Sequence, residues 1–256
     1  VHRWNTATED SQARWDGVPH EASAPGAPRR RGVLAGAFAL LTALRQTEDA
    51  GLTALASACG LPKTTAYRLL DQLSNLGAVE HRHGRYRIGP QLFQLGHGWQ
   101  PCPELRPAAR RPTRQLASVT GTTVGLAVLH QGQTMILDWT TALDSAPAKV
   151  SDQRVWPWYT AAGKVLVAMA GRPLPVGPLP GTWSSEAAVI REQGVAFDRQ
   201  EVLEGVCCAA VPVYVRSGPP VAALCVLTGP DHRLDRLAEA TRRTAATIGA
   251  ALGHRR

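Results

Sequence analysis

Apolar residues first fall into register after Gly32, where Val33, Leu34, Ala37, Phe38, Leu40, Leu41 and Leu44 recur three and four positions apart and predict one face of an α-helix. A short second helix is expected from Thr53 to Cys59, with Leu52, Leu55, Ala56 and Cys59 inward and Thr53 as its cap. Gly60-Leu61-Pro62 then reads as a turn, its glycine free to take a left-handed backbone and its proline suited to the first position of a helix. That helix should run from Pro62 to about Leu76, with Ala66, Leu69, Leu70, Leu73 and Leu76 on one face. Lys63, Thr64, Thr65, Tyr67, Arg68, Asp71 and Gln72 are left to solvent or a partner. Beyond Gly77 the alternation from Val79 to Ile88 predicts a hairpin around Gly84, carrying His81, Arg82, His83, Arg85 and Arg87. Gly89-Pro90 closes the unit, and Gln91 to about Trp99 reads as a connecting helix.

The second half follows a different rhythm. A helix is expected from Glu104 through Ser118, interrupted by Pro107 and Pro112. Strands follow at Thr122 to Leu129 and Thr134 to Trp139, around a turn at Gln131-Gly132. A second pair spans Ala209 to Val215 and Val221 to Thr228, joined by Ser217-Gly218-Pro219-Pro220. A last helix, Leu234 to Leu252, sets Leu237, Ala240, Thr241, Thr244, Ala245 and Ile248 on one side. Helices flanking an antiparallel sheet give an α+β class. Glycine and proline are too dense between Ala170 and Trp183 for a regular helix. The expected division is a flexible arm at 1–30, a small domain at 31–89, a linker helix at 90–102 and a larger domain at 103–256.

Composition narrows the partners. A chain of 256 residues with 44% hydrophobic and 19% charged residues suits two globular cores. The formal charge of +8 points toward a polyanion such as nucleic acid. Five cysteines, odd in number and without paired Cys-x-x-Cys spacing, argue against a zinc site or disulfide framework and for a reducing cytoplasm. Arg29-Arg30-Arg31 before the apolar run imitates an export signal, but the run starts late, is followed by Glu48 and Asp49, and is too short to span a bilayer. No membrane partner is expected.

Helix, short helix, glycine turn, helix and basic hairpin in this order describe a winged helix-turn-helix, whose second helix enters the major groove of double-stranded DNA while basic side chains grip phosphates. Between Arg29 and His97 stand nine Arg or Lys against four acids. The competing reading is a three-helix interaction module with a merely solvated charged face; the position of the basic hairpin favours DNA. The stretch Leu52 to Gly96, with Ser57-Ala58-Cys59-Gly60-Leu61-Pro62-Lys63-Thr64-Thr65-Ala66-Tyr67-Arg68-Leu69-Leu70 and Gly84-Arg85-Tyr86-Arg87-Ile88-Gly89-Pro90, closely resembles the isocitrate-lyase-regulator (IclR) family of bacterial transcription factors. The resemblance implies that Lys63, Thr64, Thr65, Tyr67 and Arg68 face DNA, that Arg82, Arg85 and Arg87 lie on the wing, and that Tyr86 turns toward the core.

It continues through Thr160-Ala161-Ala162-Gly163-Lys164, Gly194-Val195-Ala196-Phe197-Asp198, Gly205-Val206-Cys207-Cys208 and Thr228-Gly229-Pro230. In the family such segments line an effector pocket in a GAF-like domain, which implies Ala161, Ala162, Asp198, Cys208 and Thr228 as pocket residues, with Cys225 or Val226 added in an open register. The turn before Gly163-Lys164 could offer backbone N–H groups to a carboxylate, with Asp198 and the Cys208 thiol closing the polar side. Each has a plainer alternative: Asp198 as cap of a helix starting at Arg199, Cys208 as a small core residue, Lys164 as surface charge. Trp139, Trp156, Trp158 and Tyr159 cluster nearby and suggest an apolar or aromatic effector, although ordinary core packing is the commoner use of such residues; the expected effector is an organic acid or an aromatic.

No Gly-x-Ser-x-Gly, Gly-x-Gly-x-x-Gly or His-Glu-x-x-His motif is present, and Gly163-Lys164 lacks the rest of a phosphate loop. The expectation is therefore a regulator rather than an enzyme, with no cofactor and no metal, acting as a homodimer or tetramer on an operator and answering to a small molecule. The alternative is the same architecture with a second domain that senses nothing and only assembles subunits.

Overall fold

The computed structural model describes residues 32–99, 101–142, 154–215 and 218–253. The expected arm at 1–30 and the Arg29-Arg30-Arg31 run lie outside them. The chain divides into two compact units, the first ending at Gln100 and the second beginning at Pro101.

In the first unit, helices α1 (Val33–Arg45), α2 (Leu52–Ala58) and α3 (Lys63–Asn75) enclose Leu40, Leu44, Leu55, Ala66 and Leu70, each nearly inaccessible. Strands β2 (Val79–Arg82) and β3 (Arg85–Ile88) form the expected hairpin. His83 and Gly84 both take positive φ, the two-residue turn whose twist suits an antiparallel pair. A strand the periodicity did not announce, β1 (Ala50–Gly51), pairs with β3 and gives a three-stranded sheet ordered β1-β3-β2. Two residues are too few to show alternation. Helix α4 (Pro90–His97) follows.

Three local expectations change. Helix α2 starts at Leu52 off an extended Gly51, so Thr53 lies inside the first turn and caps nothing. Leu76 ends α3 as its C-cap and is 70% exposed. The α1 stripe is wider than the core it serves: Leu40 and Leu44 are buried, whereas Val33, Leu34 and Phe38 stand two-thirds or more in solvent. At the base of the wing Gly89 donates its N–H to Ala78 O at 2.8 Å, and Gln91 donates to Gly77 O at 3.2 Å. A Cβ on Gly89 would lie 2.3 Å from Gly77 O, so only glycine permits this approach.

The second unit is a six-stranded antiparallel sheet between two helical layers. Its elements are α5 (Leu105–Thr120), β4 (Thr123–His130), β5 (Gln133–Thr140), β6 (Val155–Pro157), α6 (Ala161–Ala168), α7 (Trp183–Gln193), β7 (Ala196–Arg199), β8 (Cys207–Val213), β9 (Ala222–Thr228) and α8 (Leu234–Gly253). The strand order is β6-β5-β4-β9-β8-β7. Alternation sorts the two cores: Cys207, Ala209, Val211, Leu224 and Val226 meet α5 and α8, while Cys208, Ala210, Ala223, Cys225 and Leu227 meet α6 and α7. As expected, residues 170–182 form no helix.

Helix α5 is continuous, against the interruption its prolines predicted. Pro107 sits in the first turn, where its missing N–H costs nothing, and Pro112 lies inside the helix. Leu105, Ala108, Ala109, Leu116 and Ala117 are buried along its face, and this burial outweighs the local cost of Pro112, about 3 kcal/mol. No helix among the described residues is long and apolar enough to cross a membrane.

Candidate functional site

The first unit presents one face of α3. Lys63, Thr64, Thr65, Tyr67 and Arg68 are all exposed, while Ala66, Leu69 and Leu70 face the core. No side chain caps the helix start at Pro62, so the first-turn amides point outward beside Lys63, an arrangement suited to phosphate. Among the described residues Lys63 and Arg68 make no ion pair.

The wing arginines are placed differently. Arg85 donates Nε–H to Asp49 Oδ1 at 2.7 Å, and Arg87 donates Nε–H to Glu80 Oε2 at 2.8 Å. Arg82 stands 3.6 Å from Glu80 as well. All three remain exposed, but their charge is partly met by acids of the same unit. The Arg85 hydrogen bond lowers the Asp49 carboxyl below its usual range, as Arg87 does for Glu80. Tyr86, between them, is buried and stacks on His81 with ring centroids 4.2 Å apart.

The second unit holds a small, partly open cavity of about 50 Å³ beside the α6 and α7 layer. Thr134, Ile136, Trp139 and Trp156 supply one side; Ala162, Asp198, Cys208, Cys225 and Leu227 supply the floor; Val202, Leu203 and Val206 close it. The start of α6 is pinned by a relay of hydroxyls. Gly163 N–H donates to Thr160 Oγ1 at 3.2 Å, Thr160 donates to Thr134 Oγ1 at 3.2 Å, and Thr134 donates to Pro157 O at 3.0 Å. This cap leaves the Ala161 and Ala162 amides as the first-turn donors it does not use. Gly163 is required, because a Cβ there would fall 2.1 Å from Trp158 O.

Of the six expected pocket residues, Ala162, Asp198, Cys208 and Cys225 are brought together at this cavity. Ala161 is fully buried at the same helix start without lining it. Thr228 and Val226 fall on the opposite parity of β9, so the register resolves to Cys225, and Leu227 occupies the place expected of Thr228. Trp139 and Trp156 line the cavity, whereas Trp158 packs edge-on against Trp183 at 4.9 Å and Tyr159 against Trp158. Trp139 Nε1 is buried with no hydrogen-bond partner among the described residues.

Asp198 caps no helix: it is strand residue 198 of β7, directly opposite Cys208, and accepts the Glu201 N–H at 2.8 Å. Burial pushes its carboxyl up to about 6. Cys208 is hydrogen-bonded to Cys225, which together with burial holds its thiol well above the usual range. That is a small polar floor, not an activated nucleophile.

Lys164 is not surface charge. It is only 3% exposed, and its ammonium lies between Glu186 Oε1 at 2.8 Å and Glu201 Oε2. Burial works to lower its pKa, but the hydrogen bonds to Glu186 and Glu201 prevail and raise it. The signal was in the sequence: Lys164 interrupts Ala161 to Ala168, a helix apolar on every side and therefore buried throughout. The two glutamates came from separate segments that no periodicity joins.

A larger open groove of about 870 Å³ runs between the end of α7 and α8. Its two arginines are already spent on helix ends, Arg191 on Ala168 O at 3.3 Å and Arg242 on Gln193 O at 2.9 Å. No cluster of three metal-ligating side chains occurs among the described residues.

Comparison with known proteins accords with both units. The model of the IclR helix-turn-helix domain matches residues 33–83, and that of the bacterial transcriptional regulator IclR C-terminal region matches residues 182–251. The glycerol operon regulatory protein of Streptomyces griseus is 34% identical over 79% of this chain and 89% of its own length. The HTH-type transcriptional regulator KdgR of Escherichia coli is 29% identical over 85% of this chain and 91% of its own. These relatives are transcriptional regulators, not enzymes. The fold is shared with the crystal structure of an IclR homolog complexed with 4-hydroxybenzoate from Microbacterium hydrocarbonoxydans, at a TM-score of 0.76 and 20% identity, covering 86% of this chain and 99% of that one.

Proposed function

Since this chain belongs to the IclR family of DNA-binding transcriptional regulators, we propose that its second unit senses a small organic acid and its first unit carries the response to an operator. The carrying observation is the convergence of the Ala162 end of α6, Asp198, Cys208, Cys225 and two tryptophans on one cavity. The α6 amides suit a carboxylate, and Trp139 with Trp156 suits an apolar or aromatic remainder. The relative from Microbacterium hydrocarbonoxydans, complexed with 4-hydroxybenzoate, supports an acid of that kind.

On the DNA side, Lys63, Thr64, Thr65, Tyr67 and Arg68 are the major-groove set, with Arg82, Arg85 and Arg87 at the flanking phosphates. The protein acts as a homodimer or tetramer, and the exposed Val33, Leu34 and Phe38 of α1 offer an apolar surface for self-association. The boundaries we adopt are a DNA-binding domain at 31–89, a linker at 90–102 and a sensor at 103–256.

A second reading has its own support: a cavity of about 50 Å³ is far below the roughly 300–1,000 Å³ of ordinary ligand pockets, as expected of a domain that only assembles subunits. Thermal shifts against a panel of small aliphatic and aromatic acids, 4-hydroxybenzoate included, separate the two. A raised melting temperature that also changes operator retardation supports sensing. Silence across the panel leaves the scaffold.

A further inference from the structure

The cavity has walls of unequal strength. Ile136, Cys208, Cys225 and Leu227 stand on paired strands, and Ala162 on a capped helix start. Val202, Leu203 and Val206 come from residues 200–206, which carry neither helix nor strand. This segment is drawn together at its base, where Gln200 N–H donates to Val206 O at 3.1 Å. Left-handed backbone bends it near each end, at Gln200 with φ 63° and Gly205 with φ 78°, and Gly205 N–H donates to Gln200 Oε1 at 2.9 Å. Such residues are natural places to absorb a change of backbone angle.

Two polar contacts hold the segment down. Glu201 N–H reaches Asp198 Oδ1 at 2.8 Å, and the Glu201 carboxylate accepts from the buried Lys164 of α6. Lys164 is also anchored from α7 by Glu186. A space of about 50 Å³ admits a water or two, so a ligand of several heavy atoms enters only if a wall moves.

Resting on the reading of this cavity as the effector site, we propose that residues 200–206 are a lid over it and that the Lys164–Glu201 pair is the latch. Opening breaks one charge-assisted bond and leaves Lys164 its bond to Glu186, so the buried ammonium is never stranded without a counter-ion. Lys164 is then a positioning residue: it touches the lid rather than the ligand.

The floor cysteines test this without any effector. Cys208 and Cys225 line the cavity, whereas Cys207 faces the opposite core and serves as an internal reference. Full-length protein is alkylated with iodoacetamide at mildly alkaline pH, and labelling of each cysteine is followed by fragment-ion mass spectrometry. Glu201→Gln should speed labelling of Cys208 and Cys225 by about ten-fold with Cys207 unchanged, while Glu186→Gln labels near the wild-type rate. Equal rates in wild type and Glu201→Gln overturn the latch. So does equal acceleration by both variants, or acceleration of Cys207 alongside the others, since either reports general loosening. A silent effector panel beside a positive labelling result would remove the ligand reading and leave the lid standing.

Discussion

Arg85 donates Nε–H to the Asp49 carboxylate at 2.7 Å and a terminal N–H to the Asp49 carbonyl at 3.2 Å, so the wing arginine is fixed to the residue just before β1. Asp49 therefore screens a charge that the wing would otherwise offer to phosphate. Asp49→Asn should tighten DNA binding, roughly three- to ten-fold at moderate salt, and steepen the dependence of log K on log salt by up to about one unit. Salt-titrated gel retardation is the measurement. An unchanged slope would mean that Arg85 is spent on the fold.

Arg68 carries no such screen among the described residues. Arg68→Ala should weaken operator binding by about ten-fold or more and flatten the salt dependence by about one unit, a larger effect than Arg85→Ala. Equal losses from the two would place reading helix and wing on the same footing.

Gly125 marks a close approach of side chains in the second unit. A Cβ there would stand 2.4 Å from the Trp139 ring and 2.8 Å from Cys225 Sγ. Gly125→Ala should cost about 1–3 kcal/mol and lower the second unit's melting temperature by roughly 3–10 °C, read by tryptophan fluorescence. Unaltered melting would show that Trp139 is free to swing aside.

Asp198 gives stability a pH signature. Burial raises its carboxyl from 3.8 to about 6, so the folded chain binds this proton more tightly than the unfolded one. Its favourable contribution is complete below about pH 4 and is lost as pH climbs through 6, a change on the order of 3 kcal/mol. Asp198→Asn lacks it. Urea denaturation should show wild type losing ground to the variant between pH 4 and pH 7, with a constant difference above. A gap that stays level from pH 4 to pH 7 would contradict the burial argument.

Much of the architecture was legible because burial writes itself as periodicity. The α3 pattern placed Ala66, Leu69 and Leu70 inward and Lys63, Thr64, Thr65, Tyr67 and Arg68 outward, and the structure does the same. Helix α5 was misread because proline is a local rule and the buried face from Leu105 to Ala117 is a tertiary fact. Leu34 and Phe38 belong to the expected apolar face yet stand in solvent, because sequence spacing reports such a face without saying what covers it.

The cavity was legible only where a segment carried its own signature. Ala162, Asp198, Cys208 and Cys225 came from recognisable stretches, and strand parity then moved the last position from Thr228 to Leu227. The acids that neutralise the wing, Asp49 and Glu80, were counted as charges but not paired, since a count carries no distances. Glu186 and Glu201 escaped for the same reason.

The tight seam at Gly89 has a consequence for the stiffness of the first unit. With Ala78 and Gly77 stitched to the residues that follow β3, the reading helix and the ribbon beside it are cast as one piece. Within it there is little slack, so Gly89→Ala should disturb the helix and the ribbon together and not one of them alone.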